Sequence, residues 1–521
     1  GRTRKLARVQ LPTQPRNAAF FGLPGSASSL AAFHAATPTI GIRVMTDRLI
    51  ELPRPPTPRP HDTPLGPFAT MRVLRRNPIE TWTKAHFEWP ILVGPTILGT
   101  IAVVNDPAAI RRVLVDNAAN YRKDALQKRV LGPGLSEGLL EAEGDDWRVQ
   151  RRTLAPLFTP KTVSSFARAI SASADDLVAR WLRLREGRII DIQPEMARVT
   201  LDILGRTIFS DGLGRDLDRF AAAINRYFAT VGRLDPFDLL DFPEWLPRLS
   251  KLGSNSAQNF FASVVETLVA RRKRLLAKDK AGAPRDILTL LLEAQDPQTG
   301  AGLSDTEVKA NILTFIGAGH ETTANALTWS LFLLTLSEEW RARLAAEAGA
   351  VLSGPAEDYA ARLVETRAVI EEAMRLYPPV ASMSRQAIGP DDLAGKRIRK
   401  GSLVMVSQWV LHRHRLLWDK PDCFDPRRFL PGSREKIDRF AYLPFGAGPR
   451  VCIGASFSLQ EAAIVLAHIM RSFSFELKKN HVAMPVQHIT LRPEGGLPMT
   501  LRRRRNRFPA PVAVASSYPS G

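Results

Sequence analysis

Cysteine is nearly absent: the 521 residues hold two, Cys423 and Cys452. That rules out a disulfide framework and fits a reducing compartment. A bridge between the two is formally open, but it would consume Cys452, the thiol with the richer surroundings. No apolar run reaches the roughly eighteen residues that a membrane-spanning helix needs. The basic opening Gly1-Arg2-Thr3-Arg4-Lys5 has no long apolar segment behind it, which argues against a secretory signal. Acid is short as well, with 52 Asp and Glu against 72 Lys and Arg and a net charge of +20. Much of that charge sits at the ends. Residues 1–54 hold eight basic and two acidic side chains, and residues 501–521 five arginines and no acid, together 11 of the 20. No zinc knuckle, RNA-recognition signature or aromatic–basic alternation accompanies them, so nucleic acid is not expected as a partner. Solubility, or attraction of an acidic protein, suits the charge better.

What is present describes a globular protein, 45% apolar and 24% charged. Length alone suggests about three domains. Residues 1–61 form a basic, Pro-rich leader, expected to be disordered or foreign to the folded body. Within it, residues 1–44 read as an extension before a more ordinary start at Met45, with a weak transit peptide as the alternative. Residues 53–67 are expected to be extended rather than packed. The β-branched runs at 91–95 and 96–104 predict short paired strands, and Asp106-Pro107 predicts a helix start with aspartate as N-cap. From about 144 to 376 helical periodicity dominates, clearest at 162–184, 256–277 and 304–335. Breaks rich in Gly and Pro fall near 131–138, 232–254 and 279–285, and strand-like runs return at 402–406 and 472–477. The expected class is mainly α with a small β portion.

One stretch carries more information than the rest: Phe445-Gly446-Ala447-Gly448-Pro449-Arg450-Val451-Cys452-Ile453-Gly454. A lone cysteine stands between glycines, with an arginine two residues before it and an apolar helical run, 455–470, after it. Cys452 would lie at the start of that helix, where free N–H groups and the helix dipole favour a negative sulfur. Gly448 permits a tight turn, and Gly454 lets the backbone approach a flat cofactor with no Cβ in between. Arg450 could neutralise a carboxylate on that cofactor. A small buried thiol beside a Gly-rich turn is the plainer alternative.

The pattern Phe-x-x-Gly-x-Arg-x-Cys-x-Gly strongly resembles the haem-ligand loop of the cytochrome P450 family, with all five fixed positions met. The resemblance runs over about 62–505 and implies one large haem domain, overruling the length argument, followed by a flexible tail at 506–521. It implies haem b as cofactor, Cys452 as axial iron ligand, and Phe445 as a shield beside the thiolate. Three further motifs join it. Glu372 and Arg375, one helical turn apart, read alone as an ordinary surface ion pair. With Asp425-Pro426-Arg427-Arg428-Phe429 they resemble the family's Glu–Arg–Arg cluster, which carries over to Glu372, Arg375 and Arg428 as structural residues.

Ala318-Gly319-His320-Glu321-Thr322-Thr323 puts an acid and two hydroxyls inside a long apolar helix, where polar groups are costly unless used. Ala318 and Thr322 share a face, and Thr322 could bond back to the Ala318 carbonyl and distort the helix into a water-admitting groove. The motif resembles the family's oxygen-activating acid–alcohol pair, which implies Glu321 and Thr322 as catalytic residues. His320 reads as polar filler. Trp147 and Arg151, four apart on one face, are donors only and resemble the family's propionate-binding pair; a packing or cation–π pair is the alternative. Arg385 is a further propionate candidate by its position after the Glu372 helix.

Together these imply a haem-thiolate monooxygenase that inserts one atom of O2 into a lipophilic small molecule. The alternatives are a peroxygenase or isomerase, and a non-catalytic haem sensor. No fused reductase or membrane anchor is expected. The resemblance to soluble bacterial members implies a cytoplasmic monomer served by a separate ferredoxin or flavodoxin and its NAD(P)H-dependent reductase. Residues 121–140, 210–250 and 380–383 should line the substrate pocket by family analogy, and their largely apolar character suggests a fatty acid, terpenoid, steroid or aromatic.

Overall fold

Helix Asp305–Thr335 starts where its sequence says it must. Ser304 accepts from the Glu307 N–H at 3.2 Å while the Glu307 carboxylate takes the Ser304 N–H at 2.8 Å, a reciprocal cap. From there the helix is buried on nearly every side, packed against Ile192–Phe209, Val364–Leu376 and Ala455–Ser472. A helix buried all round cannot present its polar residues to water. Its hydroxyls therefore bond back to their own backbone: Thr314 to Ala310 O at 2.8 Å, Thr328 to Ala324 O and Ser330 to Ala326 O at 2.7 Å.

These statements come from a computed structural model, which describes residues 52–96, 99–124, 127, 138–210, 220, 222–223 and 254–504. The expected disorder of residues 1–51 and flexibility of 506–521, and most of the loops assigned to the pocket, lie outside the described residues. The other periodic segments are helical as read, at Ser254–Lys278 and at Ala167–Leu182, the latter preceded by a separate turn at Pro160–Ser165. Asp106 caps Pro107–Arg111 by accepting from Ala109 N–H at 2.7 Å.

The β portion centres on a five-stranded sheet, in spatial order Ile91–Thr96, Gly99–Val104, Leu403–Val406, Met383–Ala387, Tyr121–Arg122. The second and third strands run parallel and the other neighbours antiparallel. Register sets Arg385 opposite Val404. The Pro-rich segment departs from expectation. It is extended but packed: Pro55 is buried, the Pro53 carbonyl accepts from Phe424 N–H at 2.9 Å, and the Pro56 carbonyl from the Tyr377 hydroxyl at 2.8 Å. Proline lacks the N–H but keeps the carbonyl, so such a strand can accept from the body without a ladder of its own.

Candidate functional site

Two left-handed glycines shape the cysteine loop, Gly446 at φ 71° and Gly448 at φ 73°. A Cβ on Gly448 would stand 1.9 Å from the Leu114 carbonyl oxygen, so no other residue fits there. The Cys452 N–H closes the loop by donating to Phe445 O at 2.9 Å, and helix Ala455–Ser472 begins three residues later. Cys452 is exposed by surface area, yet burial dominates its titration and pushes the thiol above its ordinary value. Both hold for a side chain that opens onto an enclosed cleft. The expected help from the helix start is present in that Gly454 N–H and Arg151 both favour the thiolate, but desolvation outweighs both. Cys423, by contrast, is buried, and its carbonyl serves Arg375.

Trp147 and Arg151 lie on helix Gly144–Leu154. The Arg450 guanidinium stacks 4.3 Å above the Trp147 ring and donates to Ala142 O at 3.2 Å and to the Glu143 carboxylate at 2.8 Å. Arg450, read from sequence as the partner of a cofactor carboxylate, thus already holds one from the protein. Burial lowers the pKa of Arg151, Arg385 and Arg450, and Arg450 lowers that of Arg385 further. Lys123 joins them, its ammonium brought down to about 8 by burial and by Arg450. Lys123 and Glu143 were not legible in the sequence. No local pattern marks them: Lys123 stands 3.7 Å from Glu143, and Glu143 meets Arg450 some three hundred residues further on.

Thr322 does bond back to Ala318 O, at 2.8 Å. The expected distortion is not there: Asp305–Thr335 is α-helical throughout. Nor is the back-bond itself distinctive, since three other hydroxyls on the helix make it. What separates Thr322 is its setting, because those three are buried while Ala318 is exposed and Thr322 is half-buried. An exposed alanine in the middle of a buried helix marks a cleft. Cys452 and Ala318 each lie within about one and a half to two turns of a single contact, Thr323 Oγ1 to Ser458 Oγ at 3.0 Å.

Glu321 faces elsewhere. Burial raises its carboxyl pKa, opposed by the Thr490 hydroxyl and by Arg492, and its Oε2 is buried without a partner. Arg492 also lines a cleft of about 370 Å³ with His488 and Glu494. His320 is buried, with its imidazole brought down to about 4 by desolvation, and stays neutral. That matches its reading as filler.

Glu372 and Arg375 are not on the surface; both side chains are 0% exposed. Arg375 donates to Glu372 at 2.6 and 2.8 Å, and to the carbonyls of His412, Pro421 and Cys423. Arg428 stands 3.7 Å from the same carboxylate.

These residues suit a haem. A thiol on an enclosed cleft has a backbone N–H near it, and donor-only side chains suited to carboxylates stand at Trp147, Arg151 and Arg385. A Cβ on Gly454 would meet nothing within 4 Å, so protein packing does not demand that glycine, whereas a flat group lying there would. The cytochrome P450 family model matches residues 96–498, and the chain belongs to that family. Haem is its cofactor and monooxygenation its class of activity. Cyclooctatin synthase of Streptomyces melanosporofaciens is 33% identical over 365 residues, covering 70% of this chain and 78% of the relative. The ultra-long-chain fatty acid omega-hydroxylase of Homo sapiens is 29% identical over 437 residues, covering 79% and 81%. In structure, the crystallised heme domain of cytochrome P450DA matches with a TM-score of 0.72 at 26% identity, over 87% of this chain and 98% of that one. Among the described residues no helix is long and apolar enough to cross a membrane.

Proposed function

We propose that this chain places one oxygen atom of O2 into a lipophilic small molecule, with electrons from a separate ferredoxin or flavodoxin and its NAD(P)H-dependent reductase. The observation that carries the reading is the open Ala318–Thr322 face, set on an otherwise buried helix that packs against the helix following Cys452. The haem, when bound, supplies the oxygen chemistry. Cys452 would hold it through its thiolate, with Gly454 N–H favouring the sulfur's charge and Phe445 shielding it. Trp147, Arg151 and Arg385 would hold its carboxylates, and Arg450 would join them on leaving Glu143. Thr322 presents a hydroxyl to the cleft, and Glu321 brings protons to it, reached through Thr490 and Arg492. The substrate class rests on relatives whose names specify cyclooctat-9-en-7-ol and ultra-long-chain fatty acids. Both cysteines are free thiols, which suits a cytoplasmic setting.

The test is the ferrous carbon-monoxide spectrum of the holoprotein. A red-shifted thiolate band is expected in wild type and in Cys423→Ser, and its loss in Cys452→Ser. Retention of the band in Cys452→Ser removes the assignment. Turnover that needs both electron supply and O2 supports the monooxygenase; equal product from peroxide alone favours the peroxygenase.

A further inference from the structure

Glu321, Asn325 and Trp329 form an i, i+4, i+8 row on the long helix Asp305–Thr335. The last two hold the hairpin of Pro485–Gln487 and Leu491–Pro493. Asn325 Nδ2 donates to the Thr490 hydroxyl oxygen at 3.0 Å, and the Trp329 indole N–H to the Leu491 carbonyl at 3.1 Å. Asn325, Trp329 and Thr490 are all buried, so bulk water does not compete for these bonds. Apolar side chains fill the neighbouring positions Ala324, Ala326 and Leu327, and a buried amide among them is costly unless it is used.

The two helix side chains act differently on the hairpin. An indole N–H on a backbone carbonyl fastens the chain and has no bearing on protons. An amide on a hydroxyl also sets a direction, because the hydroxyl has a single hydrogen. The Thr490 oxygen accepts from Asn325 Nδ2, a nitrogen that has no lone pair to offer, so the Thr490 hydrogen must turn to another acceptor. Glu321 supplies one. Burial raises its carboxyl pKa, and the Thr490 hydroxyl opposes that rise by favouring the carboxylate. Arg492, two residues further along the hairpin, works in the same sense and is the one charged side chain among the described residues that acts on Glu321.

We propose that Asn325 is a positioning residue for proton supply: its amide holds the Thr490 oxygen, and so turns the Thr490 hydrogen on to Glu321. The acid then has a fixed donor on its hairpin side. This rests on the monooxygenase reading, in which Glu321 serves Thr322. Asn325 is not itself a proton source, because its amide N–H groups donate without ionising.

The experiment compares haem-loaded Asn325→Leu, Thr490→Val, Thr490→Ser and Trp329→Phe with wild type. Two quantities are read. One is the pH midpoint of the Glu321 carboxyl, followed by the infrared band of its protonated form and assigned by the loss of that band in Glu321→Gln. The other is peroxide released per reducing equivalent consumed. The Thr490 hydroxyl favours the carboxylate, so its removal should move the midpoint up. Asn325→Leu is expected to move it up as Thr490→Val does, the double variant no further, and both should release several-fold more peroxide. Thr490→Ser keeps the hydroxyl and should keep the wild-type midpoint. Trp329→Phe should lower the thermal midpoint and leave the carboxyl midpoint in place. An unchanged carboxyl midpoint in Asn325→Leu makes Asn325 a fastener of the hairpin and overturns the proposal. A downward shift overturns it as well, since the Thr490 hydrogen would then have pointed at Asn325. A shift in Trp329→Phe as large as in Asn325→Leu assigns the effect to a loosened hairpin, and a shift without extra peroxide removes the role in proton supply. If the midpoints move as expected but wild type lacks the ferrous carbon-monoxide band, the family reading fails and the orienting of Thr490 by Asn325 stands.

Discussion

Glu372 and Glu461 are both wholly buried glutamates on helices of one body, and they could hardly be treated more differently. Glu372 takes two N–H groups from Arg375 at 2.6 and 2.8 Å, and the Asp425 N–H at 2.8 Å. Glu461 takes none. A buried charge that is fully met binds its surroundings into one arrangement, and removing one partner leaves the other stranded. A buried acid that is not met gives up its charge and becomes a weak donor in an awkward place. Burial alone therefore says little about role; the number of partners decides it. The first acid organises the chain around Cys423 and Asp425, and the second stays in the core with its carboxyl pushed well above the ordinary range.

The largest effect is expected from breaking the satisfied acid. Glu372→Ala strands the Arg375 guanidinium, 0% exposed, with three carbonyls and the Trp418 ring but no opposite charge in hydrogen-bond reach. That should cost about 3–5 kcal/mol of stability, read by urea unfolding. A loss below about 1 kcal/mol would mean that the carbonyls suffice and that the contrast with Glu461 is overstated.

Next comes a pH dependence that Glu461 should show. The folded-state pKa of Glu461 is raised, so the folded protein holds its proton more tightly than the unfolded chain does. Below roughly pH 4.3, the ordinary glutamate value, both states are protonated and wild type and Glu461→Gln differ by a constant. Above it the unfolded chain ionises first. Wild type then loses stability relative to Glu461→Gln, by about 1.4 kcal/mol per pH unit, until the folded carboxyl titrates. Unfolding curves for the pair at several pH values measure the slope. A flat difference would show that Glu461 ionises normally in the folded protein.

The sequence made one of these acids visible and hid the other, for physical reasons. Glu372 belongs to a spaced pattern, Glu-x-x-Arg with Arg428 some fifty residues on, so its role could be carried over although its burial could not. The cysteine loop was legible because Gly448 answers a steric demand at a single point, the Leu114 carbonyl. Thr322 was read from its motif through a back-bond and a helix distortion, and neither singles it out. Its back-bond is shared by three buried hydroxyls, and only its exposure, which no spacing encodes, sets it apart. Glu461 belongs to no spaced pattern. Its burial follows from its surroundings: 462–467 is apolar without interruption, and a run that apolar belongs to a helix with no wet face. Lys123 and Glu143 had no such signal, because Glu143 finds its partner Arg450 some three hundred residues on.

The smallest effect tests how far the satisfaction of Glu372 extends. The family pattern puts Arg428 on equal terms with Arg375, but the geometry does not. Its Nε stands 3.7 Å from the Glu372 carboxylate and is buried without a hydrogen-bond partner, while its Nη2 donates to Lys420 O at 3.2 Å. Its side chain keeps 14% of its exposure, so water still reaches part of the charge. Arg428→Gln removes a cation that makes no close bond to the acid, relieves one unmet N–H, and leaves both Arg375 bonds in place. The loss should be about 1 kcal/mol or less, well below that of Glu372→Ala, and the double variant should lose little beyond Glu372→Ala alone. If Arg428→Gln instead matches Glu372→Ala, the carboxylate needs both cations, and the satisfied end of the comparison is a three-membered cluster rather than a pair with a distant third.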